Sequence, residues 1–224
     1  MAAFAARAAA PTGAGIVICP DVRSLVPFFE ELALRFAEAG VDAITFDYFC
    51  RTAGTGKRDA DFDYQPQVQQ TRYETVNMDI SAAAGYLRSP DGGAVQRLYT
   101  VGFCFGGRIS FLQATRPDLD PAGVIGFYGW PVGPHRTGMP APADLVDRFG
   151  CPVLSLFAGA DHGITAEARE AFDSALAGAG VPHTTVVYDG APHSFFDRHA
   201  AAFADASADA WRRMLEFMGV PIGS

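Results

Sequence analysis

Short apolar runs alternate along this chain with longer stretches in which apolar residues recur every three or four positions. The runs fall at 15–19, 41–46, 98–102, 123–128, 153–158 and 184–188. Each is apolar along nearly its whole length, as in a strand buried on both faces. Helical spacing marks 27–39, 68–87, 105–115, 166–177 and a last stretch at about 200–218. This alternation predicts βαβ crossovers and a doubly wound, mostly parallel sheet flanked by helices, an α/β fold. No repeat and no Ser/Gly-rich linker interrupts the pattern, so one domain over 1–224 is expected. The Ala-rich start lacks the basic-then-apolar order of a signal peptide, and 1–13 reads as a short edge strand or extension. Two irregular segments stand out, 48–67 and 129–143, the second carrying Pro131, Pro134, Pro140 and Pro142. Segments of this kind are pocket walls or lids, or plain solvent loops.

Composition narrows the partners. With 49% hydrophobic residues in 224, one sizeable core is expected. A net charge of −8 without any basic run argues against nucleic acid. No apolar run approaches the roughly 20 residues of a membrane span. The four cysteines, Cys19, Cys50, Cys104 and Cys151, form no C-x-x-C pair and suggest neither a zinc site nor a disulfide framework. A reducing cytoplasm fits this usage. Monomer and homodimer both remain open.

The chemistry starts at Gly102-Phe103-Cys104-Phe105-Gly106-Gly107, between the third run and a helical stretch. A strand that turns sharply into a helix pushes its apex side chain outward and leaves no room for a Cβ on its neighbours. This is the pattern of a nucleophile elbow, with cysteine in the serine position. Ligands in open α/β sheets bind beyond the carboxyl ends of the strands. The polar residues at those ends are Asp21 and Arg23, Asp47 and Tyr48, Cys104, Trp130, Asp161 and His162, then Asp189 and His193. Cys104, Asp161 and His193 follow the chain order nucleophile, acid, histidine of α/β-hydrolase triads. Asp189 and Asp173 compete with Asp161, whereas His162, His135, His183 and His199 read as surface or loop histidines. Cys19, Cys50 and Cys151 read as core or loop-edge thiols.

These residues divide the work. A helix N-terminus and a neighbouring imidazolium favour a thiolate at Cys104. His193 would protonate the leaving group and Asp161 would hold the ring in its tautomer. Oxyanion donors are expected in the backbone N–H of Phe105 and in the loop after the first run, at Val22. Tyr48, Phe49, Phe103, Phe105, Tyr128, Trp130, Phe195 and Phe196 lie near strand ends. About half of these aromatics are expected to line an apolar pocket and the rest to be core.

The elbow, with Gly159-Ala160-Asp161-His162, Gly190-Ala191-Pro192-His193-Ser194-Phe195 and Phe46-Asp47-Tyr48, resembles the dienelactone hydrolase family over nearly the whole chain. The resemblance implies an α/β-hydrolase fold and a Cys-His-Asp triad. It also implies carboxymethylenebutenolidase-like hydrolysis of lactones or related esters, without a metal or organic cofactor. Asp21 stands where the family carries a thiol-contacting glutamate. Arg198 stands one place beyond the family's substrate-binding arginine, with Asp197 in that slot, and Arg51, Arg58 and Arg72 are candidates for the second. The expected function is a cysteine-dependent hydrolase of a small or medium, rather apolar ester or lactone. Tyr48, Trp130 and Phe195 are substrate-binding candidates. The alternatives are an acyl transferase with the same triad, or a non-catalytic ligand-binding or redox-sensing domain. Dinucleotide binding is disfavoured, because the Gly-rich turn follows the third run and lacks G-x-G-x-x-G.

Overall fold

The computed structural model describes residues 1–56, 58–59, 61–135 and 137–221. Seven strands form one sheet: β1 (Ala3–Ala6), β2 (Ala14–Cys19), β3 (Asp42–Phe46), β4 (Arg97–Phe103), β5 (Gly123–Phe127), β6 (Val153–Ala158) and β7 (His183–Tyr188). Their spatial order is β1-β3-β2-β4-β5-β6-β7. All neighbours run parallel except β1, which pairs antiparallel with β3 at one edge. The architecture is the expected α/β one, a mostly parallel sheet flanked by helices.

β2 to β6 are buried along their lengths apart from Arg97, because helices cover both faces. In β2, Ile16 and Ile18 join the cluster that includes helix α1 (Pro27–Glu38), while Val17 and Cys19 join the one under helix α4 (Tyr73–Arg88). α1 begins on Pro27, whose missing N–H costs nothing in a first turn. Past its cap Ala39, Gly40 at a φ of 88° turns the chain so that Gly40 and Val41 donate back to Ala37 and Phe36.

The expected helix at 68–87 is two helices, α3 (Gln65–Gln70) and α4. Thr71 and Arg72 between them are extended, and the Thr71 hydroxyl donates back to the Gln67 carbonyl at 3.0 Å. Val68 and Val76 are both buried eight positions apart, a spacing that imitates one continuous helix. The expected 48–67 loop holds a short helix, α2 (Cys50–Ala53), and the start of α3. The remaining helices are α5 (Phe105–Gln113), α6 (Ala166–Gly178) and α7 (Ala204–Phe217), the last shorter at its start than the pattern suggested, and a 3-10 helix lies at Pro142–Arg148.

The strand order reverses between β2 and β4, which opens a crevice past their carboxyl ends. Cys19 pairs with Gly102, so the chain leaving β2 meets the turn leaving β4.

Candidate active site

Cys104 sits between β4 and α5 with φ 54° and ψ −113°, a conformation L-residues rarely adopt. Backbone crowding enforces it. A Cβ on Gly102 would strike the Gly106 carbonyl, and one on Gly106 would strike the carbonyls of Cys19 and Pro20. The Cys104 N–H donates to the Phe127 carbonyl at 3.0 Å, fixing the turn to β5. Cys104 is half-buried at the N-terminus of α5, whereas Cys19 and Cys151 are buried. Burial pushes the Cys19 thiol far above its ordinary value and the Cys151 thiol up to about 12. Cys50 accepts the Ala2 N–H at 3.0 Å, away from this crevice.

The acid and the histidine arrive on loops that follow β6 and β7. Ala158 pairs with Tyr188, and Ala160 N–H donates to the Ala191 carbonyl at 2.9 Å, so the two loops run together. His193 Nδ1 lies 2.6 Å from Asp161 Oδ2. The other Asp161 oxygen accepts the N–H groups of Gly163 and Ile164 at 2.9 and 3.3 Å. Burial opposes charge on the His193 ring, but the Asp161 hydrogen bond and charge and the neighbouring Cys104 sulfur prevail, raising it to about 10. Burial also opposes charge on Asp161, yet the imidazole and the two backbone donors hold its carboxyl below the usual range. The competing acids are elsewhere: Asp173 faces His183 and Asp189 is exposed. Tyr128, at a strained φ of 36°, packs its ring 4.8 Å from that of His193.

A cleft of about 410 Å³ opens over Cys104 and His193. Val22, Phe105, Tyr128 and Trp130 line it, together with Arg108, Pro134 and His135. Among the described residues, the N–H groups of Phe105 and Val22 donate no backbone hydrogen bond within the turns, loops and caps. Of the eight aromatics named from sequence, Phe105, Tyr128 and Trp130 reach the cleft. Tyr48 and Phe195, taken as substrate-binding candidates, are core: Tyr48 donates to the Pro20 carbonyl at 2.9 Å, and Phe195 packs on Tyr128 and Tyr188.

The charged candidates are also engaged elsewhere. Asp21 is bound by Arg23, not by the thiol. Arg198 is exposed and donates to Ser194 Oγ at 2.8 Å. Arg51 pairs with Asp79, Arg58 with Asp47, and Arg72 donates to the carbonyls of Gln69 and Thr71. A one-residue change of slot or a shorter carboxylate reverses such contacts, and sequence spacing does not resolve them. Among the described residues, no group of three or more His, Cys, Asp or Glu side chains is placed to hold a metal ion.

Arg108 escaped the sequence reading. It is 1% exposed, one turn after Cys104 on α5. Its guanidinium donates to the carbonyls of Pro140, Trp130, Gly133 and Met139 at 3.1, 3.2, 2.7 and 3.1 Å, and more weakly to Val132. Burial lowers it to about 10, with Asp144 opposing from a distance. The single charged residue of α5 was the available signal. His135, read as an ordinary loop histidine, is carried into the cleft by the segment that Arg108 holds.

The model of the Dienelactone hydrolase family matches residues 1–220. A protein named "Putative carboxymethylenebutenolidase" from Salmonella typhi is 31% identical over 227 residues, spanning 97% of this chain and 82% of its own. The crystal structure of "Putative Dienelactone Hydrolase from Klebsiella pneumoniae" superposes with a TM-score of 0.85 at 27% identity, covering 97% of this chain and 92% of the other. Thermogutta terrifontis esterase 2, phosphonylated by sarin, has a TM-score of 0.73 at 17% identity over 99% of this chain and 91% of its own, a likeness of fold alone.

Proposed function

Because the chain belongs to the dienelactone hydrolase family, we propose that it hydrolyses carboxylic esters or lactones through an acyl-cysteine at Cys104. One observation carries the reading. The strained turn presents Cys104 at the head of α5 within reach of His193, whose Nδ1 is held by Asp161 at 2.6 Å. That bond leaves Nε2 for proton transfer.

In the proposed reaction the Cys104 sulfur attacks the carbonyl carbon, and the displaced electron pair moves onto the carbonyl oxygen. The free N–H groups of Phe105 and Val22 are the donors for that oxyanion. The carbon–oxygen bond to the leaving group then breaks, and His193 gives its proton to the departing oxygen. In a lactone that oxygen stays tethered. Water then gives a proton to His193 and attacks the thioester, and the acid departs from sulfur. Asp161 holds the ring's tautomer and steadies its positive form.

The cleft favours a neutral, rather apolar substrate. Val22, Phe105, Tyr128, Trp130 and Pro134 supply most of its wall. Among the described residues, the guanidinium that lines it, Arg108, spends its donors on backbone carbonyls. Asp197 occupies the slot next to Arg198, so a carboxylate-bearing substrate gains no cation there. The relatives' names refer to a carboxymethylene lactone, and this chain is proposed to prefer uncharged esters or lactones.

A screen of neutral and carboxylate-bearing lactones and short esters, run beside Cys104→Ala, tests the reading. Mass spectrometry should trap acyl-Cys104 with p-nitrophenyl acetate, and Cys104→Ala should stop turnover while folding normally. Unchanged turnover in that variant would refute the nucleophile.

A further inference from the structure

Arg23 takes no part in the chemistry above, yet it touches both loops that carry it. Its backbone N–H donates to Asp21 Oδ1 at 2.8 Å, and its Nε and Nη2 reach Asp21 Oδ2 at 2.9 and 2.5 Å. Nη2 also donates to Asp197 Oδ2 at 2.5 Å. Asp21 precedes Val22, the proposed oxyanion donor, and Asp197 follows His193 by four positions. The two carboxylates are 3% and 2% exposed.

One guanidinium thus faces two buried carboxylates at once. Asp197 Oδ1 has no hydrogen-bond partner among the described residues. Burial holds the Asp197 carboxyl above its usual range, and Asp21 adds to this while Arg23 and Arg198 oppose it. The buried Tyr128 phenol, raised by burial, is pushed further by Asp197, Cys104 and Asp21, so Tyr128 lies close to all three groups. A thiolate and an oxyanion forming there would be opposed by carboxylates lacking their counter-ion.

We propose that Arg23 is a positioning residue of this reaction, tying the oxyanion loop to the histidine loop and offsetting the charge of Asp21 and Asp197 so that the Cys104 thiolate and the oxyanion form. The inference rests on the triad reading above. Arginine suits the task because its planar fork meets two carboxylates at once, which a lysine ammonium does not.

The test follows iodoacetamide alkylation at Cys104 against pH, read by peptide mass spectrometry, beside kcat and KM for p-nitrophenyl acetate. Arg23→Gln should raise the alkylation midpoint by about one pH unit. It should also lower kcat about 100-fold with KM nearly unchanged. Adding Asp197→Asn restores the charge balance without restoring the tie. The midpoint should then return to the wild-type value while kcat stays low. Arg23→Lys should keep the wild-type midpoint with a reduced kcat, and it carries the test if Arg23→Gln does not fold. An unmoved midpoint in folded Arg23→Gln, a shift that persists after Asp197→Asn, or wild-type kcat in Arg23→Lys overturns the proposal. Failure of the underlying triad reading looks different: Cys104→Ala would then still hydrolyse ester.

Discussion

The two walls of the cleft are held by different physics. On the elbow side, backbone lies against backbone: Gly102 on Gly106, Gly106 on the carbonyls of Cys19 and Pro20, Gly107 on Phe127 and Gly129. No side chain is needed and no methyl fits. On the facing side, among the described residues, Arg108 gathers carbonyls from Trp130 to Pro140, beside a main-chain bond from Ala143 to Pro131. The sulfur of Cys104, the proposed nucleophile, therefore sits on the more crowded support, and the surface that would meet the substrate sits on the more replaceable one. Precision at the nucleophile and adaptability at the substrate need not come from the same part of a fold.

Variants on the two sides separate these supports. The largest effect is expected on the reacting side, from Asp161→Asn, which frees His193 to take the other tautomer. Steady-state kcat should fall about 10⁴-fold, and a value near wild type would remove Asp161 from the mechanism. Gly106→Ala attacks the crowded backbone itself, and chemical denaturation should show a loss of about 4 kcal/mol or failure to fold. Arg108→Met attacks the other wall. Its loss should be smaller, about 3 kcal/mol, with KM for bulky esters rising more than kcat for acetate falls. An equal fall in both parameters would mean that Arg108 supports the nucleophile as well.

Titration gives a gentler test. His193 is raised from 6.5 to about 10 in the fold, so its contribution to stability is complete below about 6.5 and is lost as pH rises toward about 10. Asp161 is lowered, so its contribution is present above the ordinary carboxylate range and is lost as pH falls. Melting temperature should therefore decline from about pH 7 to about pH 10, and Asp161→Asn should flatten that slope. The smallest change is expected from Trp130→Ala. Trp130 is 48% exposed on the cleft rim, and its loss should raise KM about threefold for aromatic esters while leaving stability within about 0.5 kcal/mol.

What could be read from the sequence follows the same division. β6 spans 153–158 as expected, and the other five expected strands agree within one residue at each end, because strands buried on both faces write themselves as apolar runs. The elbow was legible because crowding leaves only glycine. Cys104, Asp161 and His193 could be placed at strand ends, and the structure brings Asp161 and His193 within hydrogen-bond distance. The break at Thr71 was not legible, since buried Val68 and Val76 keep helical phase across it. Nor was the hold of Arg108, whose acceptors are main-chain oxygens that every residue possesses. The Arg23 bridge joins residues 174 positions apart, and sequence order gives no hint of it. Tyr48 and Phe195 failed as pocket residues for a related reason: an aromatic at a strand end faces either core or crevice, and only packing decides which.

Since Arg108 grips carbonyl oxygens, the exposed side chains of the segment it holds can change identity without removing an acceptor. Trp130 projects at the rim and the neighbouring Pro134 is exposed, whereas Gly133, at a φ of 68°, must stay glycine. A library randomised at Trp130 and Pro134 should return mostly folded proteins with altered ester preference, the mark of an interchangeable cassette clipped to the fixed Cys104 turn.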